Sequence, residues 1–239
     1  MESFSPIYSH ITPRFIREAD VPKGLPRLTD HKDREAVLDF TEDSVGGFFS
    51  REECGAIYDL ARAHGPDGVA VEIGSWKGKS TICLGSGLKA RGGGELFAID
   101  SHEGSEEHAH VYGKVWTFDE FVNNIERARL TDVIVPLVMT SWYGARVLGR
   151  PVSLLFVDGS HNEEDVEMDL FLWSHKVVIG GLIVFHDVFS FEAVNRVWSR
   201  CIRDSGIFEV IGEEGDMAWA RKIKEINYDF VENEWEPSK

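Results

Sequence analysis

Asp158 and Asp187 each stand directly after a run of apolar residues, with His161 three places beyond the first and His186 immediately before the second. Carboxylates and imidazoles gathered in this way can orient a polar ligand and move a proton. An imidazole of ordinary pKa, about 6.5, suits proton removal at neutral pH. Two further acids occupy comparable places. Glu72 lies within Val69-Ala70-Val71-Glu72-Ile73, ahead of Gly74, and Asp100 closes the run Leu96-Phe97-Ala98-Ile99. Thr140 and Ser141 follow one more apolar run, Val133 to Val138. Buried strands commonly exit into Gly, Asn or Ser, so acids and histidines at so many exits point to a site rather than to packing.

The turn Gly74-Ser75-Trp76-Lys77-Gly78 sharpens that reading. Strand, glycine turn, helix, strand and acid is how an open α/β sheet holds a nucleoside. The glycines admit the ligand to the backbone, and the second acid, Asp100, takes two ribose hydroxyls. A dinucleotide turn needs a compact Gly-x-Gly-x-x-Gly so that a pyrophosphate can rest on the helix N-terminus. Trp76 and Lys77 would crowd it. Gly78-Lys79-Ser80 matches the end of a P-loop, but the glycine that motif needs five positions before Gly78 is Ile73, so a nucleoside triphosphate is excluded.

The elements that position these residues follow from periodicity and punctuation. Strands are predicted at 69–73, 95–100, 133–138, 152–157 and 182–185, with helices at about 78–90, 117–129, 163–176 and 191–204, and a short helix after Ser141. Ser50-Arg51-Glu52-Glu53 is a capping box that opens a helix ahead of the first strand. Two short strands near 207–211 and 217–222 flank Gly212–Asp216 and read as a hairpin. The expected fold is one doubly wound, mostly parallel seven-stranded sheet with helices on both faces and an antiparallel C-terminal hairpin. Residues 1–45 carry Pro6, Pro13, Pro22 and Pro26 and read as an irregular arm or lid with at most a short helix. The domain proper is expected at 46–223, with an acidic tail at 224–239. The loop 101–116, with His102, His108 and His110, reads as a second part of the lid.

Composition narrows the function classes. The 239 residues carry 41 acidic and 25 basic side chains, a net charge of −16, which argues against nucleic acid or an anionic membrane surface as partner. Cys54, Cys83 and Cys201 lack the spacing of a zinc site or a disulfide framework. No signal peptide or apolar run of membrane-spanning length is visible, so a cytoplasmic protein acting on small molecules is expected. The sequence leaves open whether it forms a homo-oligomer.

These motifs resemble a known family. Val71-Glu72-Ile73-Gly74-Ser75-Trp76-Lys77-Gly78-Lys79-Ser80, Ala98-Ile99-Asp100, Phe156-Val157-Asp158-Gly159-Ser160-His161 and Gly180-Gly181-Leu182-Ile183-Val184-Phe185-His186-Asp187-Val188 are similar to the class I S-adenosylmethionine-dependent methyltransferases. The likeness is to the small-molecule and sugar O-methyltransferase branch, related to catechol and macrolide-sugar enzymes, and covers about residues 46 to 222. It implies that Glu72 lies beneath the methionine end of S-adenosylmethionine, that Gly74, Ser75 and Ser80 hold the methionine portion, and that Asp100 takes the ribose. Ser101 and His102 would flank the adenine, Thr140 and Ser141 would meet its edge, and Trp142 and Tyr143 would pack on the cofactor. His161 matches the catalytic base, with Asp158 and Asp187 framing a hydroxylated acceptor. Metal-dependent members place Mg2+ or another divalent cation at the positions of Asp158, His186 and Asp187, on oxygen ligands. A histidine in that set departs from the pattern and weakens the case for a hard cation. Two other readings stay open. An oxidoreductase or hydroxylase on the same fold would need affinity for NAD, and a cofactor-binding module without catalysis would not need both Asp158 and His161.

Overall fold

The apolar runs form seven strands in the computed structural model, which describes residues 24–63, 65, 67–104 and 113–226. They are β1 (Val69–Ile73), β2 (Leu96–Asp100), β3 (Ile134–Val138), β4 (Val152–Val157), β5 (Val177–Phe185), β6 (Phe208–Glu214) and β7 (Met217–Lys222). They make one sheet in the order β3-β2-β1-β4-β5-β7-β6. The first five are parallel, while β7 runs antiparallel to both β5 and β6. Because β1 and β4 are neighbours, the winding reverses between them, and the crevice at their carboxyl ends is where such sheets take ligands.

Helices cover both faces. On one lie α1 (Arg34–Ser44), α2 (Arg51–Ala63), α3 (Lys79–Ala90) and α4 (Phe118–Arg127), and on the other α5 (Ser141–Val147), α6 (Glu163–Ser174) and α7 (Glu192–Val197). The helix expected at 191–204 is divided, since α7 continues as a π-helical turn, Trp198–Arg203. Strand alternation separates the two cores. Ala70, Ala98 and Phe156 face α1–α4, while Val71, Ile99 and Val157 face α5–α7. α2 and α3 approach closely because Gly87 has no side chain; a Cβ there would lie 2.4 Å from the Tyr58 carbonyl oxygen.

Three expectations need correction. The segment ahead of residue 46 is not wholly an arm. Asp33 caps α1 by accepting from the Ala36 N–H, and Val37, Leu38 and Phe40 enter the core shared with β1. The prolines that suggested irregularity all precede that helix. β5 begins at Val177, five residues early, because Gly180 (φ +82°) accommodates an irregularity that lets Val177 pair Val152 and Leu182 pair Leu154. The hairpin turn is only Gly215-Asp216, so β6 runs on to Glu214. The expectations for residues 1–23, for His108 and His110, and for the tail beyond 226 lie outside the described residues. No helix among the described residues is long and apolar enough to cross a membrane.

Candidate active site

The parallel strands deliver Glu72, Asp100, Asp158 and the His186-Asp187 pair to one edge of the sheet. Gly74 (φ +86°) turns the chain so tightly that a Cβ there would lie 1.9 Å from the Asp158 carbonyl oxygen. Four described non-glycine residues have positive φ, and three of them, Trp76, His102 and Asp187, follow the ends of β1, β2 and β5. Such backbone strain gathers at functional sites.

At the β1–β2 side, Asp100 fastens the glycine turn. Its Oδ2 accepts the N–H groups of Ser75 (2.9 Å) and Trp76 (2.7 Å), and its Oδ1 accepts that of His102 (2.7 Å). Each carboxylate oxygen has two lone pairs, so Oδ1 keeps capacity for a ligand hydroxyl while Oδ2 already serves the turn. Glu72 has no exposed surface and lies below the turn, accepting from Ser80 Oγ (2.6 Å) and Thr81 Oγ1 (2.5 Å). Burial pushes its carboxyl up to about 7 against the pull of those hydroxyls. Ser80, expected to help hold a ligand from the helix start, donates its hydroxyl to Glu72.

His102 also differs from its expectation. It is 1% exposed, its Nδ1 lies 2.9 Å from Thr117 Oγ1, and the rings of Phe118 and Phe121 sit 5.1 Å away. It anchors the start of α4 instead of presenting a face beside a base, leaving half-buried Ser101 as its more open neighbour. Thr140 is exposed at the N-cap of α5. Ser141 Oγ accepts from Trp173 Nε1 (2.8 Å) and also serves Asp169, whose carboxyl burial pushes up to about 7. Trp142 packs edge-on against Tyr143 and under the Arg146 guanidinium.

At the β4–β5 side the titratable groups converge. His161 Nε2 lies 2.8 Å from Asp187 Oδ2, and its ring stacks on Phe191 at 3.8 Å between centroids. Burial opposes ionisation of Asp187, yet His161 and His186 outweigh it and hold the carboxyl well below its usual range. Burial pushes Asp158 up. His186 is 6% exposed, with Nδ1 at 3.2 Å from Asp158 Oδ1 and 3.1 Å from Asp187 Oδ2, and Nε2 at 3.5 Å from Glu53 Oε1. Burial disfavours its charge, but the three carboxylates win and push the imidazole up to about 12.

Glu53 and Phe49 were not among the expected site residues. Phe49 stacks on His186 at 4.4 Å. Glu53 Oε2 accepts from the Ser50 N–H and Oγ (both 2.8 Å), while Oε1 accepts from the Asp216 N–H (2.7 Å). The capping box announced Glu53 as a helix cap, but nothing local reveals that the same carboxylate reaches His186. Beside the turn, Phe48, Trp76, Trp116, Lys77 and Lys114 line an open groove of about 430 Å³.

Residues 71–188 match the family described as a methyltransferase domain. The match spans just under half of the chain and makes this stretch similar to a methyltransferase domain. Solved structures of similar fold include the O-methyltransferase NovP, at 18% identity and a TM-score of 0.57, over 81% of this chain and 80% of that one. TomG from Streptomyces achromogenes, an O-methyltransferase involved in tomaymycin synthesis solved with SAM, matches at 16% identity and 0.57, over 84% and 92%. An O-methyltransferase from Bacillus cereus in complex with SAH matches at 18% identity and 0.56, over 81% and 92%. The matched span runs from β1 to just past Asp187, so it contains both clusters of strand-end residues but neither Glu53 nor the hairpin.

Proposed function

We propose that the protein transfers a methyl group from S-adenosylmethionine to a hydroxyl of a small metabolite, a sugar or phenol, with His161 as general base. The observation that carries this reading is the His161–Asp187 pair, 2.8 Å apart at the strand-end crevice. When bound, the cofactor supplies a methyl group already activated by its sulfonium. Gly74, Ser75 and Asp100 would hold it, with Glu72 beneath and Ser101 and Thr140 at its far end. The residues must then align the acceptor oxygen and remove its proton.

The His161 tautomer that donates from Nε2 to Asp187 carries its lone pair on Nδ1, and this atom would take the proton of the acceptor hydroxyl. Asp187 stabilises the resulting imidazolium, in the way a buried carboxylate supports a catalytic histidine. The stack on Phe191 fixes the plane of the ring. A divalent cation would be held by Asp158, His186 and Asp187, and would supply a lowered acceptor pKa. The net charge of −16 suits an enzyme dissolved in the cytoplasm with no nucleic-acid partner.

The test is methyl transfer from isotopically labelled S-adenosylmethionine to a panel of catechols, other phenols and glycosides. His161→Ala is expected to keep its affinity for S-adenosylhomocysteine by calorimetry and to lose about 10²–10⁴-fold in turnover. Full turnover in that variant overturns the role of His161. Preferential binding of NAD overturns the reading as a whole.

A further inference from the structure

The set Asp158, His186 and Asp187 presents three donor atoms within 4.8 Å of one another. What distinguishes it from an ordinary acidic cluster is the histidine. His186 is more than nine-tenths buried, and neither of its ring nitrogens makes a hydrogen bond of good geometry. The Asp158 and Asp187 oxygens lie 3.1–3.2 Å from Nδ1 without standing in line with it. Donor atoms gathered this closely, with no good hydrogen bond to the imidazole, are the arrangement that a cation completes by displacing the proton the imidazole otherwise holds.

We propose that this cluster takes a borderline transition-metal dication, of the Mn2+, Fe2+, Co2+ or Zn2+ class, in preference to Mg2+, and that Glu53 is the positioning residue that sets the imidazole for it. This deepens the proposed function and rests on its reading of the β4–β5 edge as the acceptor site. Mg2+ and Ca2+ favour all-oxygen sets, whereas an imidazole donor shifts selection toward first-row transition ions. Metal-ligating histidines characteristically direct their second ring nitrogen at a carboxylate, which fixes the ring and raises its basicity. Glu53 stands at that position, 3.5 Å from Nε2. It is itself held by Ser50 and by the Asp216 N–H, so it cannot swing away, and Phe49 stacks on the ring to prevent rotation. Three protein donors leave further coordination positions for an acceptor hydroxyl and water.

The experiment is calorimetry on the chelator-treated full chain with MnCl2, ZnCl2 and MgCl2, in the presence and absence of S-adenosylhomocysteine. One Mn2+ or Zn2+ per chain is expected to bind at least about 10-fold more tightly than Mg2+. Glu53→Gln is expected to weaken Mn2+ and Zn2+ by about 10–100-fold, and His186→Asp to move the preference toward Mg2+. Electron spin-echo spectroscopy of bound Mn2+ should show nitrogen coupling that persists in His161→Ala and vanishes in His186→Asp. If His186→Asp does not fold, the wild-type echo and Glu53→Gln still decide. Equal affinity for Mg2+ and Mn2+, absence of nitrogen coupling, or no bound ion at all overturns the proposal. S-adenosylhomocysteine binding retained in those cases leaves the methyltransferase reading standing, and its loss counts against that reading separately.

Discussion

His161 Nε2 and Asp187 Oδ2 meet at 2.8 Å, although β4 and β5 bring them from positions 26 residues apart. The contact links the loop after β4 to the strained residue just past β5, Asp187, at φ +60°. It orders the base through an acid that also faces His186 at 3.1 Å. One carboxylate therefore joins the proton-transfer side of the site to the cation-demanding side.

Asp187→Asn should leave S-adenosylhomocysteine affinity nearly unchanged while kcat falls by about 10²–10⁴-fold, since it removes the carboxylate that sets the His161 tautomer. Steady-state kinetics on any accepted phenol or glycoside checks this. A change confined to KM would show that Asp187 binds acceptor without orienting the base.

Asp100→Ala should weaken S-adenosylhomocysteine binding by roughly 2–4 kcal/mol in calorimetry, through lost hydrogen bonds to a charged group. Three N–H donors also lose their acceptor, so the Ser75–Trp76 turn should lose amide-exchange protection in the ligand-free enzyme. Unchanged affinity would remove Asp100 from the cofactor site.

Gly74→Ala forces a Cβ to within 1.9 Å of the Asp158 carbonyl oxygen at φ +86°. Overpacking against backbone costs about 1–3 kcal/mol, with the positive-φ penalty in addition. Denaturant unfolding should show that loss together with weakened cofactor binding.

Glu72 gives a pH signature. Its carboxyl is pushed by burial up to about 7, above the ordinary glutamate value, so between these limits the folded chain holds a proton that the unfolded chain has released. The contribution of Glu72 to stability is then fully present below about pH 4.5 and is lost as pH rises through about 7. Glu72→Gln removes that slope. Its stability relative to the parent should rise by about 2–4 kcal/mol between pH 4.5 and pH 8, measured by urea unfolding. A difference that stays flat with pH would show that Glu72 is ionised throughout.

The sheet was legible because its strands are buried on both faces and read as near-continuous apolar runs closed by acids or glycines. The ends Glu72, Asp100, Asp158 and His186-Asp187 were legible for the same reason, since a polar residue at a strand exit stands out against its neighbours. What the chain order hides is which polar groups answer one another. Ser80 reads as a ligand contact, and only the fold shows that its hydroxyl also answers Glu72; His102 likewise answers Thr117 and packs on two phenylalanines. Glu53 reads as a cap and is one, but its second oxygen acts on Asp216, 163 residues away. No local pattern encodes a contact of that length.

That long contact has a consequence for how the enzyme comes into being. On the ribosome the N-terminal part of a chain emerges first, so β1 to β5 are made before the hairpin that supplies Asp216. Until Asp216 arrives, Glu53 lacks the N–H that orients its Oε1, and Phe189 and Ser190, just beyond His186-Asp187, lack the Asp216 carboxylate that accepts their N–H groups. The strand-end residues are thus made before the contact that finishes the centre. A product cut short before the hairpin would carry every strand-end residue of the family motif and still present His186 and Asp187 in the wrong setting.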